Sequence, residues 1–405
     1  MFKHFSISIL VFISSIVTLY SQGGNPQGQA PLIIGQDDEQ AIITAVPFLT
    51  IAPDARSAGM GDVGVAISPD VNATYWNPSK LAFAENDMGA SASVSPWLQR
   101  IAGDMAIYYL SGYKKINSNS AVGVSMRFFD LGDMDFTDIN RAIIATFNPR
   151  EFSFDASYAL KLSQRFSMGV TTRFIHSNLS GNFSNGASNT DTKPANSLSA
   201  DISAYYNNDE LIIGGYSSQL AFGANLSNMG PKITYSNEEN RDFIPTTLRL
   251  GTALTSEFDT YNKLTFAFDI SKLMVPTPPI TDDDGNIIAG SDQSDKGWVE
   301  AMFSSLGDAP NGFGEEMREL MLAVGLEYWY NDLVAVRGGY FNENQTKGNR
   351  QYFTLGVGLR YQVFGIDFSY LVSKQQNHPL ADTLRFSLLF NLNGKADSAK
   401  LDSAN

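Results

Sequence analysis

The chain has no cysteine, which excludes a disulfide framework, thiolate metal sites and a lipidated cysteine anchor. Histidine is almost as scarce: there are three, His4 lies in the leader, and no pair has metal-ligand spacing. Charged residues are only 17% of the 405, and 42 acids against 28 bases leave a formal charge of −14. That balance argues against nucleic acid and against polybasic docking on anionic lipid. After the first twenty residues no long apolar run occurs, so helical membrane spans are excluded there. No Gly-x-Ser-x-Gly sequence marks a hydrolase elbow.

What is present begins with a leader. Lys3, an apolar stretch from Phe5 to Tyr20 and the small or polar Ser21-Gln22-Gly23-Gly24 have the layout of a cleavable secretory signal, placed at residues 1–21. Its apolar part is short of the ~20 residues of a spanning helix; a retained anchor is the alternative.

From about Met88 onward the dominant signal is a period of two. Phe152, Phe154, Ala156, Tyr158 and Leu160 alternate with Ser153, Asp155 and Ser157; Leu264, Phe266, Phe268 and Ile270 alternate with Thr265, Ala267 and Asp269. Such alternation gives each strand one apolar and one polar face. Fourteen candidates follow: 88–97, 103–112, 119–130, 151–162, 165–178, 196–206, 218–228, 245–256, 260–272, 319–330, 333–342, 351–361, 364–374 and 381–391. Most are near the ~9–11 residues of a tilted membrane strand. A soluble sandwich shares the alternation, but the gaps here sort by side. Those after odd-numbered strands include 131–150, 179–195, 229–244 and 273–318, whereas the others include 163–164, 257–259, 331–332 and 362–363. Long loops on one side and short turns on the other are the asymmetry of outer-membrane barrels. The 4 Trp, 17 Tyr and 27 Phe suit aromatic girdles. Arg127, Asp155, Arg173, Asp201, Arg249, Asp269, Arg337, Asp367 and Arg385 fall on the polar faces. An Arg at mid-bilayer on the lipid face costs ~2–4 kcal/mol, so these are expected to fill the lumen in pairs.

The expected organisation is therefore all-β: a 14-stranded antiparallel transmembrane barrel at 88–391 and an N-terminal periplasmic or hatch segment at 22–87. A long outer loop at 273–318 and a solvated tail at 392–405 complete it. The 22–87 segment is too apolar for a free tail (Ile42-Ile43, Phe48-Leu49, Leu81-Ala82-Phe83), so a plug in the barrel mouth would bury it. Gly59-Met60-Gly61-Asp62-Val63-Gly64 has the spacing of a dinucleotide-binding turn. Pro53 before it and Pro69 after it deny the strand and helix that motif needs, which leaves tight backbone turning. Asp282-Asp283-Asp284-Gly285 lacks the closing glutamate of a calcium loop and reads as a solvated acidic turn. His176 beside Ser177 raises a lipid-cleaving pair, with a headgroup-level girdle histidine as the plain alternative.

Several stretches carry a resemblance. Pro47-Phe48-Leu49-Thr50-Ile51-Ala52-Pro53-Asp54-Ala55-Arg56-Ser57-Ala58-Gly59-Met60-Gly61-Asp62 is followed by Asn72-Ala73-Thr74-Tyr75-Trp76-Asn77-Pro78-Ser79. Later come Gly325-Leu326-Glu327-Tyr328-Trp329-Tyr330 and Asn377-His378-Pro379-Leu380-Ala381-Asp382. Together they resemble the PorV (LptO) family, outer-membrane barrels of the Bacteroidetes type IX secretion system with a FadL-like architecture. Trp76, Asn77, Pro78 and Ser79 match the hatch motif; Ser79 stands where FadL-type hatches have Ala. The resemblance implies an outer-membrane, non-enzymatic role without cofactor or metal. Such a protein would bind cargo bearing a C-terminal secretion domain at an SprA/Sov-like translocon barrel. It would then pass the cargo to a PorU-like attachment complex at the cell surface. Candidate contacts are the outer loops, with Asp133, Asp135, Asp138, Asp282, Asp283, Asp284 and Trp298. A FadL-like importer of hydrophobic small molecules is the alternative function.

Overall fold

The computed structural model describes residues 41–98, 103–137, 143–179, 193–235, 241–282, 284, 286–293, 295–374, 380–381 and 383–392. The leader at 1–21, Asp138, Asp283 and the tail from 393 lie outside the described residues.

Fourteen antiparallel strands close into a barrel. They are β1 (Met88–Pro96), β2 (Ala106–Asn117), β3 (Ser120–Asp130), β6 (Arg150–Lys161), β7 (Phe166–Asn178), β8 (Ala195–Ile213) and β9 (Tyr216–Met229). The rest are β10 (Thr247–Glu257), β11 (Asn262–Leu273), β14 (Met321–Tyr330), β15 (Val334–Asn342), β16 (Gln351–Tyr361), β17 (Phe364–Ser373) and β18 (Leu384–Leu392). Each pairs with its chain neighbour in the wall, and β1 pairs with β18 to close it. Two small hairpins, β4 (Met134–Thr137) with β5 (Ile143–Phe147) and β12 (Ile280–Thr281) with β13 (Ile287–Ala289), stand in loops outside the wall.

The strand number agrees with the sequence reading; several bounds do not. β2 runs five residues further than expected, because Lys114 and Lys115 side by side hide an alternation that continues to Asn117. The gap at 207–217 is a ribbon prolonging β8 and β9 to a two-residue turn, Gly214-Gly215. Both glycines have positive φ, +60° and +88°, as a type I′ hairpin turn requires. β10 starts at Thr247, after Pro245, which has no N–H for the ladder. The loop 131–149 folds part of its length into β4 and β5.

All nine ionic residues expected inside are buried. Phe154, Val170, Leu198, Phe222, Leu355 and Ile366 are among the apolar residues left facing outward, as the lipid side of a barrel requires. Taking the long-loop end as outer, residues 44–87 thread the lumen from the outer mouth to the inner rim. The Ala45 N–H donates to Phe243 O (2.9 Å) in the 230–246 loop at the outer end. At the other end Lys115 Nζ donates to Ala84 O (2.9 Å) and Tyr113 Oη to Asn86 O (3.1 Å), just before β1. Two apolar clusters mark these ends. Phe48, Leu49 and Met60 pack with Trp97, Phe129, Phe341 and Tyr352 near the outer mouth. Val71, Leu81 and Ala82 pack with Tyr113, Ala121 and Ala159 at the inner end.

Ile43, 80% exposed, precedes the threaded segment at the outer mouth, whereas Asp209 lies exposed on the inner ribbon. Because the native chain offers no thiol, Ile43→Cys should be labelled by a membrane-impermeant maleimide on intact cells. Asp209→Cys should react only after lysis. The reverse pattern would invert the topology.

Candidate functional site: a pinned hatch beneath a raised outer platform

The hatch is built from short turns, each fixed to the wall. A single α-turn, Ala55–Ala58, is capped by Asp54, whose carboxylate accepts from Ser57 N (2.9 Å) and from Trp76 Nε1 (2.6 Å). Gly61 and Asp62 follow with φ of +73° and +63°, so the six-residue glycine motif is a tight left-handed reversal, as read. The wall receives backbone N–H groups of the motif and of the residue after it: Gly61 by Thr354 Oγ1 (2.8 Å), Gly64 and Val65 by one oxygen of Asp269 (2.8 and 3.0 Å).

The hatch motif has a structural setting. Trp76 ends the turn Ala73–Trp76, Asn77 is extended, and Pro78 opens the 3₁₀ segment Pro78–Phe83, where a missing N–H costs nothing. Asn77 is fully buried and donates to Val65 O (3.0 Å) in the hatch and Ala204 O (2.9 Å) on β8. Ser79 donates to Asn77 Oδ1, its N–H bonds Ser203 Oγ (3.1 Å), and its carbonyl accepts from Ser167 Oγ (2.8 Å). The Asn77 amide thus joins two hatch turns to one wall strand, and the Ser79 hydroxyl orients that amide.

Charge supplies the firmest attachment. Arg56 forks onto Glu327 of β14 (2.9 and 2.8 Å) and reaches Asp70 (2.9 Å). Glu327 also accepts from Arg337 of β15 (2.7 Å), which donates to Asp367 of β17 (2.8 Å), itself held by Arg360 (2.7 Å). On the opposite wall Arg173 bridges Asp155 (2.6 Å) and Asp201 (3.0 Å). These sites need room: Gly251 faces Asp269 and Gly358 faces Asp367 in register, and a Cβ at either would come within 2.1 or 2.5 Å of the carboxylate. Between the knots Arg127 and Arg249 lie over the Tyr75 ring, 4.6 and 5.3 Å from its centroid.

On the outer side a second ionic group fixes the 274–320 segment. Lys272 pairs with Glu316 (2.7 Å) and Glu319; Lys347, from the 343–350 loop, pairs with Glu315 (2.6 Å) and Glu319 (3.1 Å). Burial alone would raise the Glu315 carboxyl, but Lys347 and the Asn311 N–H outweigh it and hold it below its ordinary value. A lowered carboxylate contributes its stability above the unfolded value and loses it as pH falls through the folded one, so this pairing is intact at neutral pH. In the same segment the helix Trp298–Ser304 and the turns after it expose Val299, Phe303, Leu306, Phe313 and Met317; Phe303 is 65% and Phe313 77% exposed. Five exposed large apolar residues within nineteen positions of one outer-loop segment are the kind of surface that marks an interaction face.

The acids proposed from sequence are placed differently. Asp133 accepts from Asn148 Nδ2 (3.3 Å) and Asp135 from Thr146 Oγ1 (2.6 Å) within the β4–β5 loop. Asp282 caps Asn286 N (2.7 Å) and Asp284 N (3.1 Å) in the turn between β12 and β13, and Asp284 is exposed. Trp298 is half-buried. Among the described residues Asp133 and Asp135 lie in one outer loop and Asp282 and Asp284 in another, with no hydrogen bond between the two sets; the exposed Phe303 and Phe313 of the 274–320 segment were not singled out from sequence. His176 and Ser177 point to opposite faces of β7. The histidine stacks on Phe152 outside (centroids 4.9 Å apart), while Ser177 is buried inside, donating to Glu151 Oε1 (2.6 Å). They do not form a nucleophile–base pair.

The family model described as "Type IX secretion system protein PorV" matches residues 34–280, more than half of the chain. The chain belongs to the PorV family. The match ends inside the long outer loop, so β14 to β18 are assigned by the closed barrel itself. No curated protein matches. Similar solved structures include the Ralstonia pickettii toluene transporter TbuX, at 12% identity, covering 84% of this chain and 98% of that one, with a TM-score of 0.45. A Pseudomonas aeruginosa FadL homologue gives 13%, 85% and 99%, with 0.44, and the Pseudomonas putida toluene transporter TodX 11%, 83% and 96%, with 0.45. Family and fold place the protein in the outer membrane as a component of type IX secretion.

Proposed function

We propose that the protein is a cargo receptor of the secretion system, not an enzyme. It binds the C-terminal secretion domain of exported proteins as they leave an SprA/Sov-like translocon and carries them to a PorU-like attachment complex. The observation supporting this reading is the outer platform: exposed aromatic and aliphatic residues on a segment tied to the wall by buried ion pairs, above a lumen that holds the pinned hatch. Rigid anchors bind with little ordering cost, which is what a receptor for many cargos sharing one domain requires. The charged knots across the lumen weigh against the alternative, an importer for hydrophobic molecules, since an apolar solute would have to displace Arg56, Glu327 and Arg337.

Phe303→Asp with Phe313→Asp is the direct test. Centrally placed aromatic anchors are worth ~2–4 kcal/mol each, so recovery of cargo with the tagged protein should fall at least about tenfold while the barrel level stays constant. Unchanged recovery would remove the platform from the binding surface.

A further inference from the structure

The lipid-facing wall has a dent of about 350 Å³ where β18, β1, β2 and β3 meet, near the inner end. Its floor is Ala90 and Gly112, directly paired across β1 and β2. Its sides are Val122 and Val124 of β3 and Phe390 and Leu392 of β18. The hollow exists because Gly112 presents no side chain to the bilayer: a Cβ there would meet only Gly89 O, at 3.4 Å. The dent is closed toward the lumen. The inward positions behind it, Gly89 and Gly123, are covered by Val71, Thr74 and Leu81 of the hatch. Lys114, two residues further along the same face and three from the inner end of β2, is the one formally charged residue in the lining. Among the described residues it forms no ion pair.

We propose that this dent is the seat of a resident glycerophospholipid: one acyl chain lies on Ala90 and Gly112, and the Lys114 ammonium holds its phosphate. Three properties converge on this occupant. The volume is within the ~300–1,000 Å³ of small-ligand sites, and a hollow facing hydrocarbon loses dispersion contacts unless something flexible and apolar fills it. A lysine stem can run along the apolar wall and carry its charge to headgroup depth, where a phosphate sits. Lysine binds phosphate as a compact point charge without needing a bidentate geometry. The seat is independent of cargo binding, since the platform is at the other end of the barrel.

The test is native mass spectrometry of the full-length protein from nanodiscs of phosphatidylethanolamine and phosphatidylglycerol. The wild type should keep one phospholipid under activation that strips the annular shell. Gly112→Leu fills the hollow and should lower that occupancy at least about tenfold. Lys114→Glu should lower it as well, and Lys114→Arg should preserve it. Ala90→Leu serves as the second filling variant should Gly112→Leu assemble poorly, with heat-modifiable mobility confirming the folded barrel. Equal lipid retention by the filling variants, or by Lys114→Glu, would overturn the proposal. So would unchanged lipid retention with loss of a co-purifying partner barrel, which would make the dent a protein interface.

Discussion

Glu327→Ala should destabilise the folded barrel by about 3–5 kcal/mol, the range for removing one partner of a buried ion pair, and should loosen the hatch. Glu327 is 1% exposed and is the hinge of the knot: one oxygen accepts from Arg56 of the hatch, the other from both Arg56 and Arg337. Deleting it leaves two buried guanidinium groups, with Asp70 and Asp367 the remaining carboxylates paired to them among the described residues. The loss comes from uncompensated charge rather than from the net worth of the pair, because desolvation offsets most of the attraction when the pair is intact. Glu327→Gln keeps the hydrogen-bonding shape and should fall between the two. Thermal unfolding in detergent measures the stability. Conductance in planar bilayers measures the hatch: silent for the wild type, with openings in Glu327→Ala. A variant that melts with the wild type and stays silent would show that the other attachments hold the hatch alone.

The sequence made the barrel legible because lipid outside and charge inside impose alternation on every strand. It failed where that constraint lapses. The ribbon at Asn207 to Ile213 runs past the end of the β7–β8 ladder at Tyr206, so it is paired on one side only and neither face has to be apolar, and the Gly214-Gly215 pair signals its turn. The hatch was readable as turns through Pro78 and the glycines around Met60, yet nothing local says that Arg56 meets Glu327, 271 positions away. The platform was the hardest feature. An exposed Phe303 and a buried Phe48 look alike in a segment without period, and the ion pairs of Lys272 and Lys347 with Glu315, Glu316 and Glu319 that tie the end of the segment to the wall join residues too far apart in sequence to be read locally. The acids of Asp282 to Asp284 drew attention as charge, whereas Asp282 is used within its own turn.

Gly339→Ala should be as damaging as the loss of Glu327, for a reason of space. The Gly59–Val65 reversal lies backbone against backbone on glycines of the wall. A Cβ on Gly339 would fall 2.1 Å from Gly61 N and Met60 C, one on Gly325 2.5 Å from Met60 O, and one on Gly223 2.3 Å from Val65 O. No rotamer relieves such contacts, because the opposing atoms are main chain on both sides. The cost therefore exceeds the ~1–3 kcal/mol of an ordinary overpacked core. The next residue supplies the control: Gly338 points to the lipid side, and its Cβ would meet only Thr354 O, at 3.9 Å. Two alanines one residue apart should thus differ sharply. In Gly339→Ala the reversal cannot seat, so Arg56 and Lys80, both buried in the native hatch, should become cleavable by trypsin added to the purified barrel. Gly338→Ala should stay as resistant as the wild type. Equal protection in both variants would mean that the wall yields to the added methyl group, and that the fit of hatch to glycine is not what holds the plug.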